Sequence, residues 1–399
     1  MPELPPPLTD LETPRLEWQG RAALSDLLGD LVLYRRLQPM DPRLPALQDA
    51  WQEMGLPDSR LPRKHEPAYA QAVSWLLKRA HELEGARRPI RELLYLGDTA
   101  LLDSTAFRNL VQVSGWRGWA FIANEQLSSP ARLAYQEDGV ALANRWTSVA
   151  TWLKWLLEDA GARLNEETVA VIDIDKTAIG ARGRNATPID QARMEGAEQT
   201  VRQVLGSRLD LAAFRAAYHE LNQPKYHNFT ADNQDYLAYV CLMIGAGMCR
   251  LEDLKQDLER GCMVDFDQFI RWMDVHLMRE TNAGLIDLHR AIYARFQVGD
   301  PTPFKSFRHQ EYLATLSRMG NLPEGTPLER RLKEEICITG EISDALKWLK
   351  ERGVLLLALS DKPDEASIPS PEQAAQGHVA LHRKATDIVG QPIADQLPR

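Results

Sequence analysis

Two aspartates, Asp173 and Asp175, stand at the end of the apolar run Val169–Ile172, and Thr177 follows, giving VAVIDIDKT. On an extended backbone alternate side chains share a face, so both carboxylates point to the same side. Carboxylates that close repel each other, and a hard divalent cation that takes oxygen ligands, such as Mg2+, relieves the repulsion. One of them can then attack phosphorus. The other can give a proton to the leaving oxygen and later draw one from water. An acidic loop without chemistry is the bland alternative; the apolar lead and the trailing Thr favour the chemical reading.

Two further apolar runs end on polar residues. ELLYL, from Glu92, is followed by Gly97-Asp98-Thr99 and then Asp103. A Gly at a strand end lets backbone approach closely, Asp98 offers a carboxylate there, and Asp103 can support it; equally, Asp98 or Thr99 can cap the next helix. VLLLAL ends at Ser360, whose hydroxyl and following N–H groups can hold phosphate oxygens, although Ser-Asp-Lys-Pro is also ordinary turn chemistry.

These runs need elements to position them. EPAYAQAVSWLLKRAHEL has helical periodicity, LLDSTAFRNLVQVSG reads as a helix, and WAFIANE as a second buried strand. Residues 131–146 alternate on either side of Asp138-Gly139, a hairpin signal. Residues 147–160 form an amphipathic helix carrying Trp152 and Trp155. From about 186 to 335 several helical patterns follow without a convincing strand, and GDPTPFKSFRHQEY within them reads as a loop. Strand–helix alternation returns with GEISDALKWLKERG and VLLLALS, and HVALHRKATDIV holds a last short strand. The expected class is α/β, with a mainly parallel Rossmann-like sheet interrupted by an all-helical insertion. The expected boundaries are a loose segment over 1–15, core over 16–180 and 339–399, and a helical unit over 181–338. Ligands of such sheets bind at the carboxyl ends of the strands.

Composition narrows the functional classes. The net charge is −9, which argues against a nucleic-acid surface. No apolar run reaches the roughly 18 residues of a membrane span, and the N-terminus lacks the basic and apolar regions of a secretory signal, so a cytoplasmic protein is expected. The four cysteines, Cys241, Cys249, Cys262 and Cys337, form no C-x-x-C pair and are read as reduced and buried. His276, His289 and His309 show no ligand spacing, and the Trp and Met of FIRWMDVHLM are read as core.

Together the three strand ends resemble the haloacid dehalogenase (HAD) superfamily, most of whose members are Mg2+-dependent phosphatases. VAVIDIDKT is similar to its first motif, ISDALKWLKERGVLLLALS to its second, and LLYLGDTALLD to its fourth. The order departs from the family: the fourth-like motif precedes the first, which looks like a circular permutation. The third motif, a Lys at a helix start, should then lie upstream of ELLYLGD. Lys64, with Pro67 three residues on, fits; Lys362 and Lys384 compete for the role. Residues 386–389 would be the strand preceding the cut, and the new termini should lie close together. The resemblance implies Asp173 as nucleophile and Asp175 as general acid/base. It implies Mg2+ on the Asp173 carboxylate, the Asp175 carbonyl and Asp98, with Asp103 supporting. Ser360 and Lys64 would hold the phosphoryl group of a small phosphorylated substrate, with Thr177 beside them. The helical insertion falls where the family places a cap, and there Lys305 and Arg308 are the candidate substrate contacts, since Arg matches phosphate geometry, with a solvated basic loop as the equal alternative. An inactive HAD-like binding or scaffold protein and a phosphotransferase on the same core are the rival readings. The arrangement requires Asp98 and Lys64 to lie beside Asp173.

Overall fold

The apolar runs form strands because each is short, buried on both faces and closed by a turn. In the computed structural model, which describes residues 14–398, the strands are β1 (Glu17–Ala22), β2 (Val32–Leu33), β3 (Glu92–Gly97), β4 (Arg117–Ala123), β5 (Leu133–Tyr135), β6 (Val140–Ala143), β7 (Thr168–Asp173), β8 (Ile338–Thr339), β9 (Leu355–Leu359) and β10 (Thr386–Gly390). Seven of them make one sheet in the order β2-β9-β7-β3-β4-β6-β5. Every neighbouring pair is parallel except the β5–β6 hairpin, whose turn residue Gly139 has φ +86°. The protein is therefore α/β with a mostly parallel sheet. Residues 1–13, most of the segment expected to be loose, lie outside the described residues.

Alternation along the strands divides the core. Leu93, Tyr95, Val169, Val171, Leu357 and Leu359 face one side and pack with the helices Pro67–Leu83 and Ala100–Ser114. Phe121, one residue out of phase with Ala120 and Ile122, faces the other side and meets Trp152 of helix Ser148–Glu158 at 5.6 Å between ring centroids. Parallel strands need crossovers, and each connecting helix must run back along the sheet. A helix that precedes a strand therefore starts at the strands' carboxyl edge. That places the residues just before Pro67 next to the residues just after β3 and β7.

One expectation changes here. The strand at 386–389 forms, but not in the main sheet: β10 pairs antiparallel with β1 and parallel with β8 in a separate three-stranded sheet. The place beside β9 belongs to β2, whose two fully buried residues are too few to show a periodicity. The three-stranded sheet is held by Asp387, which is buried and paired with Arg331, also buried, and with Arg21 at 2.8 Å.

The chain divides into two compact units, 14–190 with 315–398, and Gln191–Ala314. The second is narrower than the expected 181–338 because both flanks are tied into the first. Arg184 lies between Glu125 and Glu341 in a buried pair of bidentate contacts, at 2.7 and 2.9 Å. The Asn185 side chain bonds the carbonyls of Leu332 and Glu335 and the N–H of Cys337.

Taken by itself, the second unit is all helix. Helix Gln234–Gly245 is buried on nearly every side and forms its centre, against Phe214, Phe266, Phe269 and Ile292. Asp210, Asp265 and Asn282 cap the helices that follow them. The stretch read as a loop is in part a helix, Lys305–Leu316, which begins once Pro303 is passed. Of the Trp and Met residues of FIRWMDVHLM read as core, Met273 is buried, whereas Trp272 and Met278 are exposed. All four cysteines are free thiols; Cys241 and Cys337 are buried, Cys249 is half-buried and Cys262 is exposed, against the expectation that all were buried. Among the described residues no helix is long and apolar enough to cross a membrane.

Candidate functional site

The order β9-β7-β3 sets three strand ends side by side. Asp173 closes β7 in register with Leu359 of β9, and Leu96 of β3 is in register with Ile172. Ser360, Asp173 and Asp98 thus emerge at one edge of the sheet. One carboxylate oxygen each of Asp98, Asp103 and Asp173 lies within 4.8 Å of the others, and all three residues are buried.

Lys64 enters this cluster from the segment before helix Pro67–Leu83. Its Nζ is 2.7 Å from Asp173 Oδ1 and 2.7 Å from Asp103 Oδ1, and the residue is only 6% exposed. Burial by itself would lower the ammonium's pKa, yet the charges of Asp103 and Asp173 hold it well above the ordinary lysine value. Lys362 is also buried, two residues past Ser360. Lys384 is half-buried in the stretch before β10.

Asp103 is the most heavily bonded of the three acids. Its Oδ2 accepts from the backbone N–H groups of Asp98 (2.9 Å) and Thr99 (2.8 Å), and its Oδ1 accepts from Tyr95 Oη (3.0 Å) as well as Lys64. Those contacts use the full accepting capacity of a carboxylate. Burial works to raise its pKa, but Lys64 and the two N–H groups outweigh it and hold Asp103 below the usual carboxylate value. Gly97 makes this arrangement fit: a Cβ there would lie 2.6 Å from Asp103 Cγ. Gly97→Ala is expected to push Asp103 off the Asp98 and Thr99 amides and to destabilise the fold by about 1–3 kcal/mol. Urea denaturation measures this, and an unchanged midpoint would show that the carboxylate shifts without cost.

Asp98 and Asp173 are in a different state. Burial, reinforced by the Asp103 charge, pushes Asp98 up to about 6 against the pull of Arg182. Burial also raises Asp173 well above the carboxylate range, despite Lys64. Three buried acids thus share two cations, Lys64 and Arg182. The donors are all hard carboxylate oxygens, so the residues present fit a hard divalent cation.

The turn after β7 is fixed by its own backbone. Lys176 takes φ +67°, a left-handed conformation that a non-glycine residue seldom adopts. The chain folds back so that Thr177 Oγ1 donates to Asp173 Oδ2 at 3.1 Å. Thr177 is fully buried and also accepts from Thr339 through its carbonyl. Asp175 sits in this turn, half-buried, with its backbone bridged to Ile179, and its carboxylate is not part of the three-acid cluster. Ser360 is buried; its Oγ accepts from the Lys362 N–H at 3.1 Å and its own N–H donates to the Leu33 carbonyl.

The two candidates of the helical unit are bound within that unit. Arg308 is 5% exposed and pairs with Asp235 at 2.5 Å and Glu311 at 2.6 Å. Lys305 pairs with Asp300 at 2.9 Å.

Sequence reasoning overlooked two residues at the cluster. Tyr95 is the only polar-tipped side chain within LLYL, and that anomaly marks it. Arg182, in the loop Gly180-Ala-Arg-Gly-Arg184, donates Nε to Asp98 Oδ2 and Nη2 to Thr99 Oγ1 at 3.3 Å. Two arginines flanked by glycines directly after an acidic strand end are its only signal.

No protein-family profile, curated protein or solved structure matches this chain.

Proposed function

We propose that the chain is a phosphohydrolase of a small phosphorylated metabolite, built on a HAD-like core with permuted motif order. The observation that carries this reading is the position of Lys64, 109 residues from Asp173 in sequence and 2.7 Å from its carboxylate. The resemblance assigned that lysine to the phosphoryl group and to the nucleophile. The strand order adds support, because the central β7 carries the first motif, with the second on one side and the fourth on the other.

In this reading Asp173 attacks phosphorus, the P–O bond to the leaving group breaks, and a proton from Asp175 goes to the departing oxygen. Water then attacks the aspartyl-phosphate with Asp175 as base, releasing phosphate and restoring Asp173. Lys64 has three N–H donors, of which the two carboxylates take two, leaving one to steady a phosphoryl oxygen. Ser360 borders the same space. Thr177 holds the second oxygen of Asp173 and so orients the first. Mg2+, when bound, would be held by Asp98 and Asp173 and would offset the charge of the phosphoryl group. Asp103, saturated by its own hydrogen bonds, would position Asp98 and Lys64.

One observation favours a second reading, a HAD-like binding protein without turnover: each of the three carboxylates already has a cationic partner, Lys64 or Arg182. Thermal denaturation with Mg2+ and beryllium fluoride, a mimic of the aspartyl-phosphate, separates the two. The hydrolase is expected to gain several degrees over Mg2+ alone; no gain favours the second reading. Turnover of an aryl phosphate that rises with added acceptor alcohols would indicate a phosphotransferase.

A further inference from the structure

Arg182 has no role in the reading above, yet its backbone is closely held in the loop after β7. Its N–H donates to the Lys176 carbonyl, and its own carbonyl accepts from the Glu125 N–H and from Trp146 Nε1. The next residue, Gly183, has φ +82°, and a Cβ there would lie 2.0 Å from the Glu125 carbonyl oxygen, so only glycine fits. The neighbour after that, Arg184, is locked between Glu125 and Glu341. The backbone is thus pinned on both sides of Arg182, and the side chain is aimed at Asp98. Unlike Lys64, it is not sealed in: 35% of the side chain is open to solvent.

This geometry gives Asp98 two competing partners. Asp98 Oδ2 accepts from Arg182 Nε and Oδ1 from Thr99 Oγ1 at 3.3 Å, so both oxygens already have partners and a cation drawn to Asp98 meets the guanidinium beside it. Three carboxylates against Lys64 and Arg182 leave the cluster short of positive charge, and a divalent cation reverses that balance. Cation and guanidinium then repel at short range.

Resting on the phosphohydrolase reading, we propose that Arg182 is the built-in counter-ion of Asp98, that a divalent cation must displace it, and that the freed guanidinium then takes a phosphoryl oxygen of the substrate. The backbone does not have to move, because the exposed edge of the side chain already reaches solvent. A planar guanidinium matches phosphate oxygens and keeps its charge at any working pH. The phosphoryl group rewards the displaced arginine, so cation and phosphate binding reinforce each other, and by linkage the effect is reciprocal.

The test is calorimetric titration of the full chain, stripped with chelator, with Mg2+ alone and then with orthovanadate at saturating Mg2+. Arg182→Met is expected to bind Mg2+ about tenfold more tightly than the unaltered chain, because a competitor is gone, and vanadate at least tenfold more weakly. Arg182→Lys, which keeps the charge but not the fork, is expected to lie between them for both ligands. An arginine that merely holds the loop in shape would give the opposite sign, with Mg2+ binding weakened in Arg182→Met and recovered in Arg182→Lys; that result, or equal Mg2+ affinity in all three proteins, overturns the proposal. Absence of Mg2+ binding in every protein overturns the cation reading itself and the proposal with it. Circular dichroism of each variant establishes that the fold is intact.

Discussion

Asp173→Asn is expected to abolish turnover of an aryl phosphate while leaving the fold in place. Loss of a covalent nucleophile removes a step rather than weakening one, and single knock-outs of such groups lower rates by on the order of 10^4-fold or more. Asn keeps the shape: its amide oxygen can accept from the Lys64 ammonium in the place of Oδ1, and its NH2 can donate to the Thr177 hydroxyl in the place of Oδ2. It also removes a buried acid whose charged form is disfavoured there, so the variant's thermal midpoint should equal or exceed that of the parent. Steady-state rates with Mg2+ present and a thermal melt of the same sample check both halves. Undiminished turnover would remove Asp173 from the mechanism, and a collapsed fold would show that the carboxylate is structural.

Much of this site was legible because its parts are strand ends, and a strand end is written locally. VAVID, LLYLG and VLLLALS each announce burial by unbroken apolar character and termination by a polar residue. What sequence could not supply was adjacency. The register of β3, β7 and β9 is a property of the sheet, and only a known motif set suggested that three segments spread from 96 to 360 share an edge. Lys64 was reached through that order of motifs and Pro67, since nothing in RLPRKHEP distinguishes it from a solvated lysine. Arg182 was beyond reach for the opposite reason: its placement depends on hydrogen bonds to Lys176 of its own loop and to Glu125 and Trp146, which lie elsewhere in the chain. The misplaced strand at 386–389 has the same origin. Its own residues specify a strand, but which sheet it joins is decided by β1 and β8, and β8 has only two residues. The helical unit was drawn too wide because Arg184 and Asn185 look like linker residues until their buried partners are known.

Lys64→Met carries the second large expected effect. The methionine fills a comparable volume but leaves Asp103 and Asp173 buried without their shared cation. Breaking a buried ion pair by removing one partner costs about 3–5 kcal/mol. Here the cost depends on pH, and its sign follows from Asp173. With Lys64 gone, the folded-state pKa of Asp173 rises further above its unfolded value of about 3.9. A group raised in this way contributes its stability below the unfolded value and loses it as pH climbs through the folded one. The deficit of Lys64→Met, measured at pH 5 and at pH 8, should therefore be smaller at the lower pH, where protonation of Asp173 is favoured, and larger at the higher. Asp103 starts from a lowered pKa but acts in the same direction. It is now held below the carboxylate range chiefly by Lys64, and its pKa should move up in the variant, adding to the loss at high pH. Mg2+ supplies positive charge to the same carboxylates, so at pH 8 it should stabilise the variant more than the parent. Urea denaturation at both pH values, with chelator and with Mg2+, reads all of these expectations. Equal stability of variant and parent at pH 8 in chelator would mean that Asp103 and Asp173 do not need Lys64, and the site would then lose the contact on which its functional reading rests.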